Sequence, residues 1–113
     1  MYTPLEILNH KDLEIIEFNK ESKSFKAKLV VKNKMVLDID YYLDIDYAND
    51  KFLAVPCISI FLRRVGETNG TNWLYESDYN NAKLPVLYGI ALKRYEASKE
   101  TIRDALFQEF REL

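Results

Sequence analysis

Four aspartates at alternating positions are the residues of this sequence most suited to chemistry or binding. They lie in the stretch MVLDIDYYLDIDY, residues 35–47, in which every odd position is apolar or aromatic. Strict alternation with period two predicts a β-strand with one buried side and one solvent-facing side. Side chains two residues apart on a strand stand about 6.6–6.8 Å apart on the same face. The sequence therefore predicts a regular row of carboxylates, formed by Asp38, Asp40, Asp44 and Asp46.

This row predicts a surface that docks on a basic partner. Tyr42 lies in the middle of the row, and an exposed tyrosine among charges is typical of interfaces, because its ring provides contact area at a small entropic cost. The alternative is an ordinary solvated sheet face, partly neutralised by Lys26 and Lys28. The predicted partner-binding residues are Asp38, Asp40, Tyr42, Asp44 and Asp46.

The function predicted from this surface is that of a small non-catalytic protein that binds another macromolecule. A compact protein with an acidic face suits an inhibitor, an immunity protein or a phage-encoded antagonist. The expected partner is a protein with a basic surface, such as a nucleic-acid-processing enzyme.

A metal site is a second use of the same acids. The segment from Asp44 resembles a calcium loop, but that loop requires Gly at its sixth place and Glu at its twelfth, where this chain has Asn49 and Val55. Mg²⁺ held by Asp44, Asp46 and Asp50 would instead indicate a metal-dependent phosphoesterase or nuclease, which is the alternative function. We assign no metal and no other cofactor from the sequence.

Nucleophilic catalysis would depend on Cys57 and His10, which are the only residues of their types. Cys57 lies in the apolar run VPCISI, which is typical of a buried small hydrophobic side chain. His10 follows a predicted helix, where it is expected to meet the last carbonyl groups. No glycine-rich phosphate loop, GxSxG or HExxH pattern is present. The sequence therefore predicts no catalytic residues.

Length and composition predict one domain, residues 1–113. The net charge of −2 gives no general attraction to nucleic acid or to anionic lipid. The lysine-rich segment 20–34 contains no arginine and one aromatic residue, which does not favour base readout. The single cysteine excludes an internal disulfide. No signal peptide and no membrane-spanning run is visible, which predicts a cytoplasmic protein.

The elements that must position the acids begin with a short helix. Thr3 is a suitable N-cap, Pro4 suits the first helical position, and Glu6 completes a capping box; the helix is expected to end near Asn9-His10. The strand pattern then predicts a hairpin turn at Asn69-Gly70. The predicted strands are Leu13–Phe18, Ser24–Val31, Met35–Tyr47 and Phe52–Val65, with a further strand after the turn.

The pairing of the second and third strands is specified by matching their faces. A loop of three or five residues around Asn33 places Ala27 opposite Ile39 in the core. The same register places lysines opposite aspartates outside, and a shift by one residue would invert every side chain. We expect the pairs Lys28–Asp38 and Lys26–Asp40 on the outer face.

The C-terminal part of the chain is predicted to be helical. Residues 84–96 have helical spacing, although a strand through them is the competing interpretation. From Ser98 onward, an apolar stripe supports a helix; its members are Ile102, Leu106, Phe110 and Leu113. The predicted fold class is α+β, with a short N-terminal helix, a mostly antiparallel sheet of four to five strands, and one or two C-terminal helices packed on one face.

A homo-oligomeric structural subunit is the third functional class. The apolar run Phe52–Phe61 and the exposed side of the last helix are the surfaces that would associate in a homodimer.

Overall fold

An antiparallel sheet of five strands, with a short and a long helix on one face, forms the fold. The computed structural model describes residues 3–46, 53–74 and 84–113, and the side chains of 3–43, 56–73 and 84–113. The strands follow one another in the sheet in chain order, which confirms the predicted α+β class. The elements are α1 (Pro4–Asn9), β1 (Glu14–Asn19), β2 (Ser24–Val31), β3 (Met35–Asp46), β4 (Leu53–Arg64), β5 (Gly70–Leu74) and α2 (Leu84–Glu112).

The short helix α1 is fixed at its start by the predicted cap. The Glu6 amide donates to the Thr3 hydroxyl oxygen at 3.2 Å, and Pro4 occupies the first turn. Six residues are too few for a helix that is stable in isolation. Packing therefore holds α1, because Ile7 and Leu8 are buried in the core.

The β2–β3 hairpin has the register that face matching predicts. Ala27 pairs with Ile39, and the outer pairs are Lys28 with Asp38 and Lys26 with Asp40. The loop between the strands is the predicted three-residue connection, residues 32–34, and two of its residues have left-handed backbone conformations. The register fixes which face each aspartate occupies.

The predicted turn of the β4–β5 hairpin is wrong. Arg63 pairs with Gly70, so the chain turns around Gly66, whose φ of 81° is in the left-handed region. Asn69 comes directly before β5, and Gly70 is the first residue of the strand. A side chain at Gly70 would meet the Leu62 carbonyl oxygen. Glycine is therefore used at position 70 for close approach between strands and at position 66 for the turn.

Residues 84–96 are helical, and α2 is one continuous helix of 29 residues. Leu84, Leu87 and Ala91 are fully buried against the sheet and α1. Pro85 lies in the first turn, where a missing amide hydrogen costs little. Burial of residues at helical spacing outweighs the low helix propensity of Gly89 and of the β-branched residues. The strand interpretation is therefore wrong.

The second half of α2 extends beyond the sheet. Its last contacts are at edge strand β1, where Tyr95 stacks on Phe18 with ring centroids 4.9 Å apart and Lys20 Nζ lies 3.1 Å from Glu96 Oε1. Every residue from 96 to 113 is exposed, a length of about 27 Å at the helical rise. The predicted packing of a C-terminal helix on one face of the sheet is therefore confirmed, and the first half of α2 makes it.

A group of aromatic rings joins α2 to the strands. Tyr41 is buried, and its ring lies 5.0 Å from that of Phe25 and 5.9 Å from that of Tyr88. Burial raises the pKa of Tyr41 above its ordinary value, and the neighbouring Tyr88 and Cys57 add smaller increases. The folded protein therefore favours the neutral phenol.

Replacement of Tyr41 by Phe is expected to reduce the loss of stability at alkaline pH. Because the pKa is raised on folding, the stabilisation linked to neutral Tyr41 is complete below the unfolded pKa of 10.0 and is lost as pH rises through the folded pKa. Urea unfolding between about pH 9 and pH 11 should show a smaller decrease in the free energy of unfolding for Tyr41→Phe than for the wild type. The control is Tyr95→Phe, at a half-buried position. Equal decreases in wild type and Tyr41→Phe would contradict this linkage.

Candidate functional site

The face of the sheet opposite the helices carries the predicted acidic site. Ala27 and Ile39 point into the core beneath the helices, so the residues that alternate with them point away from it. Lys26, Asp38 and Asp40 therefore share the outer face. We name this surface the open face.

Asp38 is bound within the protein by an arginine of β4. Arg63 donates from Nε to Asp38 Oδ2 at 2.6 Å and from Nη2 to Oδ1 at 3.3 Å, and this hydrogen bonding raises the pKa of Arg63. Lys28, the cross-strand neighbour of Asp38, instead lies 3.9 Å from Glu14. The planar guanidinium binds both carboxylate oxygens at once, which an ammonium group does not. The predicted cross-strand pair of Lys28 and Asp38 is confirmed, although the ion pair of Asp38 is formed with Arg63.

Asp40 differs from Asp38 because its carboxylate has no partner among the described residues. Lys26 and Ser59 are its cross-strand neighbours on β2 and β4. The predicted cross-strand pair of Lys26 and Asp40 is confirmed, but among the described residues no hydrogen bond or ion pair joins Asp40 to Lys26 or Ser59. The half-buried Asp40 carboxylate is thus available to an external cation.

A shallow groove of about 310 Å³ lies beside Asp40. Ile16 forms one apolar wall; it lies where the β1–β2 register shifts, and more than half of its side chain is exposed. A β-bulge of this kind leaves one residue unpaired and re-aims its side chain. The residues that line the groove are Ile16, Lys26, Ala27, Asp38, Ile39, Asp40, Ser59 and Phe61.

The groove combines an apolar surface with a carboxylate at one side, which is suited to the side chain of lysine or arginine. Such side chains place their methylene groups on apolar surface and keep the charged end near an acid. Phe61 also offers a ring to a cation.

Tyr42 and the two remaining aspartates lie further along β3. Tyr42 pairs with Cys57 and is 36% exposed, so it remains a candidate contact residue. Asp44 and Asp46 pair with Val55 and Leu53 through the backbone. The side chains of Asp44 and Asp46 are outside the described residues, and their part in the site stays a prediction.

A metal site at the aspartates and a pair of Cys57 with His10 are the alternative uses of residues in this chain. Among residues with described side chains, no three His, Cys, Asp or Glu are grouped as metal ligands would be. Asp50 lies outside the described residues, so the metal alternative stays a prediction. The Nδ1 atom of His10 accepts from the Asp12 amide at 3.0 Å. Cys57 is buried but alternates with core residue Ile58. Cys57 thus lies on the face of the sheet opposite the core, whereas His10 follows α1, which packs in the core.

Three residues of the site were missed from the sequence: Ile16, Ser59 and Phe61. The nearly continuous apolar run of β4 conceals its alternation, so its outward residues became apparent only from the β3–β4 pairing. The bulge at Ile16 has no local sequence signal. An alignment of β4 on β3 would have found Ser59 and Phe61, because they pair with Asp40 and Asp38.

Comparison with known proteins adds no relative to this description. No protein-family model, no curated protein and no solved structure matches the chain. No helix among the described residues has the length and apolar composition needed to cross a lipid bilayer. The fold places the protein in the α+β class.

Proposed function

We propose that this protein binds another protein without catalysis, and that the open face docks on a basic segment of that partner. The observation that carries the proposal is the carboxylate of Asp40, which has no partner among the described residues and lies beside an apolar groove. A half-buried carboxylate without an ion pair carries an uncompensated negative charge, which a cation of the partner would neutralise.

The arrangement around Asp40 favours a lysine or arginine side chain of the partner. Its methylene groups would contact Ile16 and Phe61, and its charged end would reach Asp40. Tyr42 would add contact area on the same face. The Asp38–Arg63 pair holds the adjoining surface in one geometry before binding, which lowers the ordering cost.

The role that best fits this surface is an inhibitor, an immunity protein or a phage-encoded antagonist acting in the cytoplasm. Enzymes that act on nucleic acids present basic surfaces, and an acidic face is electrostatically complementary to them. Steering by these charges predicts an association rate that decreases as salt is added.

Charge reversal at Asp40 is expected to abolish binding of the partner protein. Immobilised wild type, Asp40→Lys and Glu100→Lys would be incubated in parallel with extract of the source cells, and proteins captured by the wild type would be quantified on all three. Glu100→Lys is the matched control, because it makes the same charge change on exposed helix α2. We expect a partner that Asp40→Lys loses and Glu100→Lys retains, with at least about a tenfold higher Kd for Asp40→Lys in titrations with the purified partner.

Circular dichroism must first show that both variants are folded. Equal capture of every protein by all three baits would contradict the proposal and would support an ordinary solvated face. Binding that is unaffected by salt would also contradict it.

A further inference from the structure

The exposed half of α2 continues the same face that the first half buries. A series of residues spaced three or four apart runs from Leu84 to Leu113, in which Lys99 is charged and the charged Glu109 lies next to Phe110. Up to Ala91 these residues are fully buried at this spacing, whereas Ile102 is 58%, Leu106 60% and Phe110 73% exposed. An apolar helix face of this kind is normally covered.

The area of this uncovered surface is close to that of a protein interface. With the neighbouring Phe107, the apolar stripe leaves on the order of 600 Å² in water, given 150–250 Å² for a large apolar side chain. This equals or exceeds the largest apolar patch of a typical monomer. A standard interface buries about 800 Å² on each partner, which the stripe and the stems of its flanking charged residues approach.

The charges of this half of α2 are divided along its length. Residues 93–103 contain four bases (Lys93, Arg94, Lys99 and Arg103) and two acids (Glu96 and Glu100), a net charge of +2. Residues 104–113 contain one base (Arg111) and three acids (Asp104, Glu109 and Glu112), a net charge of −2. Two copies placed antiparallel would bring opposite charges together, whereas a parallel pair would bring like charges together.

We propose that the apolar stripe is covered by the same stripe of a second copy of this chain, with the two α2 helices antiparallel. Lys99, Ile102, Leu106, Glu109 and Leu113 alternate by three and four residues, which is the spacing of coiled-coil core positions. An antiparallel pair centred at residue 104 places Ile102 of one copy against Leu106 of the other. The same register places Lys99 against Glu109 and Leu113 level with Tyr95.

Two contacts within the helix are compatible with this register. The Lys99 ammonium lies 4.5 Å from the centroid of the Tyr95 ring, so it is on the side of the helix that carries the stripe. The twofold axis would bring Arg103 of one copy near Arg103 of the other. Arg103 Nε lies 3.9 Å from Asp104 Oδ1 of its own chain, and this carboxylate reduces the repulsion between the two arginines. This interface does not include the groove, and it stands independently of the proposed function.

Charge exchange between Lys99 and Glu109 tests both the dimer and its register. Dimer Kd values would be measured by sedimentation equilibrium for wild type, Lys99→Glu, Glu109→Lys and the double variant. Because the pair occurs twice in a symmetric dimer, each single variant places two pairs of like charges opposite each other. It should therefore raise the dimer Kd at least about tenfold. The double variant restores opposite charges and should return the Kd to within about threefold of wild type. Asp40→Lys should leave the Kd unchanged, which separates this proposal from the proposed function.

Three results would overturn the proposal. A wild type that remains monomeric up to about 1 mM would exclude the second copy as the occupant. A double variant as weak as the single variants would exclude the antiparallel register. A monomeric wild type whose stripe is protected only by a different captured protein would assign the surface to that protein. Since Lys99 and Glu109 are exposed, circular dichroism should show the single variants and the double variant folded.

Discussion

Replacement of Leu87 by alanine is expected to lower the free energy of unfolding by roughly 2–5 kcal/mol. Leu87 is fully buried on the α2 face that packs on the sheet, between Leu84 and Ala91. The substitution removes apolar contacts and leaves a cavity that the surrounding elements fill only partly. A loss of this size is a large fraction of the stability of a small domain.

The adjacent residue provides the control for this prediction. Val86 is on the same turn of α2, but 58% of it is exposed, so Val86→Ala should change the free energy of unfolding by no more than about 0.5 kcal/mol. Urea unfolding of both variants gives the comparison. Similar losses at the two positions would show that α2 does not pack on the sheet through Leu87.

Replacement of Gly70 by alanine is expected to cost about 1–3 kcal/mol, although glycine is ordinarily a weak strand residue. A Cβ atom at position 70 would be directed at the Leu62 carbonyl oxygen, and it would lie 2.9 Å from the Phe61 ring and 3.0 Å from the Arg63 Cβ. The carbonyl belongs to the backbone of β4, so relief requires movement of a strand. The same movement would disturb Arg63 and, through it, Asp38.

Gly89→Ala is the matched substitution with the opposite expected sign. Apart from the helix's own backbone, no atom of the described residues lies within 4 Å of a Cβ atom at this position in α2, and alanine is favoured over glycine in a helix by about 0.5–1 kcal/mol. Thermal or urea unfolding should therefore show Gly89→Ala to be more stable and Gly70→Ala to be less stable than wild type. Stabilisation by both would mean that β5 does not approach β4 as closely as described.

The parts of the fold that the sequence predicts well are those determined by local or two-strand patterns. The α1 cap follows from Thr3, Pro4 and Glu6, which act within one turn. The β2–β3 register follows from the requirement that Ala27 and Ile39 share the core face. A slip by one residue would bury lysines and aspartates, so few alternatives compete.

The incorrect predictions depend on contacts between distant residues. Asn69-Gly70 has the composition of a hairpin turn, but Gly70 is required in β5 by its approach to β4, which no local pattern reveals. The helical period of α2 predicts an apolar face without indicating how far the sheet extends beneath it. The exposure of residues 96–113 of α2 therefore becomes apparent only from the structure, in which Tyr95 already lies at edge strand β1.

The candidate site was predicted in outline but not in chemical detail. Alternation predicts that Asp38 and Asp40 lie on one face, but it does not distinguish which of the two has an ion partner. The structure separates them, because Arg63 reaches Asp38 from β4 and leaves Asp40 without a partner among the described residues. That distinction depends on the β3–β4 register, which the nearly continuous apolar run of β4 does not reveal.

The most direct test of the open face is a titration of isotope-labelled protein with the purified captured partner, followed by nuclear magnetic resonance. We expect the largest shift changes at the Ile16 methyl group and at the amides of Lys26, Asp40 and Ser59, with α2 beyond residue 96 unaffected. The Asp40→Lys variant should show none of these changes at equal concentration. Changes confined to α1 or α2, or identical changes in wild type and Asp40→Lys, would contradict the assignment of the open face as the docking surface.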